Sequence, residues 1–111
     1  MKNMKLLFAM ALVVSLPAHA KLSVFACEPE WGALVQELAG DSVEVSVATT
    51  AKQDPHQIEA RPSLIARVRR ADLLVCTGAE LEVGWLPQLV RQSGNGRIAS
   101  GDGAFYAASQ V

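Results

Sequence analysis

Two short, mostly apolar runs constrain this chain more than anything else in it: Leu22-Ser23-Val24-Phe25-Ala26 and Asp72-Leu73-Leu74-Val75-Cys76-Thr77. Both have strand length, and both are closed by loop signals. A strand that is apolar on both faces must be covered on both faces, which points to an inner position in a sheet flanked by helices. Between them, Val43-Glu44-Val45-Ser46-Val47 alternates with period two, the pattern of a strand at a sheet edge.

Helical spacing fills the gaps. Trp31, Leu34, Val35 and Leu38 fall at i, i+3, i+4 and i+7, with Glu28 and Glu30 near the start and Gly40 as the stop, and this predicts a first helix that buries those four residues. A second helix is expected from Pro62, suited to the first turn, with Leu64, Ile65 and Val68 buried. Arg67, Arg69 and Arg70 gather at its far end, where the macrodipole favours positive charge, and solvation and capping account for them. A third helix follows Gly84, carrying Trp85, Leu86, Leu89 and Val90 up to Gly94-Asn95-Gly96. Arg97-Ile98-Ala99 reads as a brief fourth strand, and residues 100–111 as an irregular tail without periodicity.

Strand and helix in alternation make an α/β fold with a parallel sheet. Right-handed crossovers, with the amphipathic strand at the edge, predict the spatial order 2-1-3-4. Winding direction then reverses between strands one and three, and open α/β sheets bind ligands beyond the carboxyl ends of their strands at such a switch. The segment from Ala48 to Arg61 opens onto that point.

The first twenty residues have the order of a secretory signal: Lys2 and Lys5, an apolar run from Leu6 to Leu16, then Pro17-Ala18-His19-Ala20. Cleavage is expected after Ala20. The apolar run is well short of the ~20 residues needed to cross a bilayer. Lipoprotein processing at Cys27 fits poorly, because Lys21 intervenes and Val24-Phe25-Ala26 reads as strand. Beyond residue 20 there are eight Lys and Arg against eleven Asp and Glu, a formal charge of −3, which argues against a nucleic-acid partner. A chain of this size supports one small domain of marginal stability.

Cys27 and Cys76 match neither a zinc ribbon nor a Cys-x-x-Cys redox motif. The favoured expectation is two buried small apolar side chains, with a mutual disulfide, permitted in an exported protein, as the alternative. Catalytic signatures are absent: there is no Gly-x-Ser-x-Gly, no phosphate-cradling glycine loop and no His-Glu-x-x-His. No enzyme is expected, and Glu80 and Glu82 read as residues of a solvated loop.

One candidate for chemistry remains. In Asp54-Pro55-His56-Gln57-Ile58-Glu59 a proline-stiffened loop presents the only histidine beyond residue 20 just ahead of a helix. Neutral imidazole suits zinc, and a stiff loop lowers the cost of holding it in place. Taken alone, a single loop histidine is more often a surface group.

The setting adds to this. From Leu22 to Ala99 the chain resembles the amino-terminal lobe of the zinc and manganese solute-binding proteins of ABC transporters. The resemblance is carried by Asp54-Pro55-His56-Gln57-Ile58-Glu59-Ala60-Arg61-Pro62-Ser63 and by the stretch from Arg70 to Leu86, including Thr77-Gly78-Ala79-Glu80-Leu81-Glu82-Val83-Gly84-Trp85-Leu86. It implies a two-lobed periplasmic carrier, monomeric, that binds a divalent metal and docks on a membrane permease. It assigns His56 as the first metal ligand and Trp85 and Leu86 to packing, and leaves Asp54 and Glu59 to shape the loop or stand behind the ligand. Zinc is the expected ion and manganese the alternative. Ile58 and Ala60-Arg61 depart from the aromatic and proline usual around the motif's glutamate. Since one imidazole is far short of a complete site, the expectation is a fragment: signal at 1–20, amino-terminal lobe at 21–99, tail at 100–111. A secreted α/β interaction or adhesion module without a metal role is the alternative from another class.

Overall fold

The computed structural model describes residues 14–15 and 20–111. The expected export signal therefore lies, but for Val14, Ser15 and Ala20, outside the described residues. Among those described, no helix is long and apolar enough to cross a membrane.

Four strands and four helices follow in the order β1 (Leu22–Ala26), α1 (Pro29–Ala39), β2 (Val43–Val47), α2 (Pro62–Arg70), β3 (Leu73–Cys76), α3 (Leu86–Ser93), α4 (Gly96–Ala99) and β4 (Ala104–Tyr106). A 3-10 turn at Gly40–Ser42 leads into β2, and another at Ala107–Gln110 follows β4. The sheet is parallel throughout, in the order β2-β1-β3-β4. This is the predicted fold, with the alternating strand at the edge and the apolar β1 and β3 inside.

Each face of the sheet has its own core. On one side Phe25, Leu64, Val68, Leu74, Trp85 and Leu89 pack together beneath α2 and α3. On the other, Val24, Val43 and Val75 are covered by Trp31, Val35 and Ala39 of α1. Proline stands in the first turn of α1, α2 and α3, where its missing N–H costs nothing. Gly40 and Gly94, both left-handed in φ, close α1 and α3.

The structure corrects the expected face of α1. Leu34 and Leu38 are exposed, at 45% and 78%. Trp31 and Val35 make contact as expected, joined by Gly32 and Ala39 in place of the leucines. Gly32 is the reason: a Cβ there would lie 2.6 Å from Val47 Cγ2, so its absence lets the helix approach the sheet along that line and turns the two leucines outward.

A second correction concerns the end of the chain. Arg97-Ile98-Ala99 is not a strand but most of α4, and β4 lies in the segment read as irregular tail. Asn95 explains the difference. Its Oδ1 accepts from Ile98 N and starts α4, while its Nδ2 donates to Val68 O at 2.8 Å and Ala71 O at 2.9 Å, tying off the end of α2. With three residues wound into a helical turn, the chain reaches β3 only after Gly103, where Leu74 N donates to Gly103 O.

Candidate metal centre

The segment after β2 runs across the carboxyl ends of the strands, as the sheet order requires. Its course is fixed by small bonds: Ala48 N donates to Ala26 O, the Thr49 hydroxyl to Cys27 O, and Gln53 N to Thr50 O. At the motif, Asp54 Oδ1 accepts from His56 N at 3.0 Å, and Gln57 N donates to Asp54 O at 3.1 Å, a turn that proline favours by fixing φ. From below, Trp85 Nε1 donates to Pro55 O at 2.8 Å. Gly84 lies so near that a Cβ on it would sit 3.0 Å from His56 O. Trp85 is thus the core residue expected of it and also the strut of this loop.

The imidazole of His56 projects outward, with 64% of its side chain exposed. Its Nδ1 lies 2.8 Å from Asp54 Oδ1. A carboxylate accepts there, so Nδ1 carries the proton and Nε2 offers a lone pair to solvent. Asp54 is held below its ordinary value by the His56 backbone bond first and by the imidazole second. Metal-ligating histidines are commonly oriented in this way, through one nitrogen by a carboxylate, with the other nitrogen left for the ion. Glu59 is exposed and stands apart from this pair.

A second group of residues lies at the same end of the sheet, and the sequence reading missed it. Glu82 was expected on a solvated loop; it is 2% exposed, and its two oxygens accept from Thr77 N at 2.9 Å and Gly78 N at 3.0 Å. Glu80 alone is exposed as expected. Glu28 is 3% exposed; its Oε1 accepts from no N–H or O–H donor, its Oε2 accepts a long bond from the Thr77 hydroxyl, 3.4 Å, and the carboxyl faces that of Glu82. Burial, then the hydrogen bond and charge of Glu82 and the charge of Glu30, push the Glu28 carboxyl up to about 8. Glu28 therefore keeps its proton at neutral pH. The phenol of Tyr106 is raised by burial and by the charge of Glu82.

Beside Glu82 lies the disulfide Cys27–Cys76, which corrects the expectation of two free buried thiols. The cause is register: Ala26 is paired with Val75, so the two cysteines follow as neighbours at the ends of β1 and β3, with Cα atoms 4.9 Å apart. The sequence signal for this cluster was faint but present. Each cysteine ends an inner strand, and Glu28 and Glu82 lie just beyond those ends.

The parallel order β2-β1-β3-β4, with its switch in winding between β1 and β3, places the chain in the class of open α/β sheets that bind ligands beyond the carboxyl ends of their strands. A high-affinity zinc uptake system protein ZnuA from Paracoccus denitrificans (strain Pd 1222) is 37% identical over 83 residues, covering 73% of this chain and 25% of the relative. The manganese ABC transporter substrate-binding lipoprotein PsaA of Streptococcus pneumoniae is 30% identical over 76 residues, 66% of this chain and 24% of the relative. Among solved structures, a crystal structure of ZnuA superposes with a TM-score of 0.62 at 28% identity, over 68% of this chain and 30% of that one. A Mn-bound periplasmic metal binding protein from Candidatus Liberibacter asiaticus gives 0.58 at 25%, over 68% and 27%. Residues 24–109 match the family described as zinc-uptake complex component A, periplasmic, and the chain belongs to that family. It spans about a quarter of the length of the curated relatives it matches.

Proposed function

We propose that this chain forms the first lobe of a periplasmic carrier that captures a divalent transition metal, zinc in the first place, and hands it to the permease of an ABC importer. The observation that carries the reading is the His56–Asp54 pair: an imidazole whose Nδ1 is fixed at 2.8 Å from a carboxylate and whose Nε2 is left open to solvent, on the loop that follows β2 across the carboxyl ends of the strands. The named functions of the relatives, zinc uptake in one and manganese transport in another, support it.

In this reading His56 Nε2 is one ligand and Asp54 stands behind it, raising its basicity and fixing its direction. The remaining ligands belong to a second lobe, the part of the relatives' length this chain does not span. Imidazole leadership favours zinc, and carboxylates added by the second lobe would move preference toward manganese. No bond is made or broken, so the carrier has no catalytic residue. Residues 1–20 act as a signal cleaved after Ala20, and the carrier works as a monomer.

Equilibrium dialysis of the oxidised chain against zinc, beside its His56→Ala variant, tests the assignment. Weak uptake that disappears in the variant is the expected result. Equal uptake by both would remove His56 from the site.

A further inference from the structure

The cluster at the ends of β1 and β3 carries a second inference, independent of the carrier reading. Cys27 Sγ, Cys76 Sγ and a Glu82 carboxylate oxygen lie within 4.8 Å of one another, all buried. Beside them Glu28, itself 3% exposed, has an oxygen that accepts from no N–H or O–H donor. Four ligands around zinc, with Zn–S near ~2.3 Å and Zn–O near ~2.0–2.2 Å, stand about 3.5–4 Å apart from each other, a spacing the two sulfurs reach only by parting, while Glu28 is joined to the group through Thr77, which bonds both carboxyls. While the sulfurs are bonded to each other they cannot serve.

We propose that the Cys27–Cys76 disulfide occludes a closed zinc site, and that reduction by a dithiol opens it to zinc held by both cysteine sulfurs, Glu82 and Glu28. The dithiol transfers two electrons and two protons, becomes a disulfide itself and leaves two thiols. Each thiol gives up its proton to solvent as its Zn–S bond forms, and Glu28 gives up its own on ligation.

Three features of the structure fit this use. Two sulfurs and two carboxylates suit zinc and disfavour magnesium or calcium, which take oxygen ligands alone. Glu82 is held in place from behind by Thr77 N and Gly78 N, the outer bonds that orient a ligating carboxylate. Two cavities border the carboxylates: Glu82 lines one of about 430 Å³ against α3 and Tyr106, and Glu28 lines one of about 170 Å³ beneath the Thr49–Pro55 segment. Cys27 and Cys76 are the chain's only cysteines, so no other thiol competes.

The full chain carrying His56→Ala, which removes the carrier ligand, is the material for the test. It is reduced with a trialkylphosphine, freed of reductant without air, and titrated with cobalt(II) and then zinc(II). The expected result is one equivalent of cobalt with the thiolate charge-transfer absorption of a tetrahedral site, displaced by zinc. The oxidised chain and Cys76→Ser should show no such band, and Glu82→Gln should weaken binding by about tenfold or more. If reduction unfolds the chain, zinc must restore its helical circular dichroism, because metal binding and folding are then one event. Absence of the band, persistence of the band in Cys76→Ser, unchanged affinity in Glu82→Gln, or failure of zinc to refold an unfolded reduced chain would each overturn the proposal.

Discussion

The His56 loop and the cluster of Glu28, Glu82, Cys27 and Cys76 occupy the same end of the same sheet and are built in opposite ways. The loop keeps its titratable groups in water, and its bonds are short-range, apart from the one from Trp85. In the cluster the side chains are buried, joined by a disulfide and hydrogen bonds, and followed by left-handed backbone at Gly78, Ala79 and Glu80. The proposed carrier would use the two differently. An exposed imidazole can take up and release an ion, and a locked framework beneath it keeps the strand ends from splaying when the loop is pulled on.

The largest break in that contrast should come from the cross-link. Replacing both cysteines by serine frees a loop spanning a sequence separation of 49 and should cost about 4 kcal/mol in urea unfolding, a large share of a small domain's stability. A loss under about 1 kcal/mol would show that the strand ends hold together without it.

Next in size is the pH response of the buried carboxyl. Folded Glu28 keeps its proton up to about pH 8, whereas the unfolded chain releases it near 4.5, so folding takes up a proton across that window. Stability should therefore fall as pH rises through it and level off beyond about 8. Glu28→Gln should flatten the slope; an unchanged slope would assign it to another group.

Smaller effects separate loop from framework. Trp85→Phe keeps an aromatic ring in the core but removes the bond to Pro55 O and part of the packed indole, so a loss of about 2 kcal/mol is expected together with faster amide exchange across residues 54–57. Exchange unaltered there would mean that the loop does not depend on Trp85. Smallest of all, Glu80→Gly relieves a non-glycine residue at φ 69° and should stabilise by up to about 1 kcal/mol by differential scanning calorimetry. Destabilisation instead would mean that the Glu80 side chain contributes more than its backbone strain costs.

The framework was legible in the sequence because it is written in period. Apolar runs placed β1 and β3 inside, alternation placed β2 at the edge, and Pro62 marked the start of α2. What misled were contacts that period does not encode. Gly32, invisible to a count of apolar residues, rotated α1 and exposed Leu34 and Leu38. Asn95 bound the ends of two helices and wound Arg97–Ala99, displacing the last strand to Ala104–Tyr106. Glu82 looked solvated because nothing local reveals that two backbone N–H groups await it, and the cysteines could be paired only once the register of β1 and β3 was known. Asp54, read as a residue shaping the loop, does so through its bonds to His56.

Nitrogen-detected NMR of the His56 ring during a zinc titration of the oxidised chain puts the central claim to its shortest test. The account predicts that Nδ1 stays protonated against Asp54 while the Nε2 resonance moves with zinc and saturates. A ring whose Nε2 is indifferent to zinc, or one metallated at Nδ1 with the Asp54 bond broken, would contradict it.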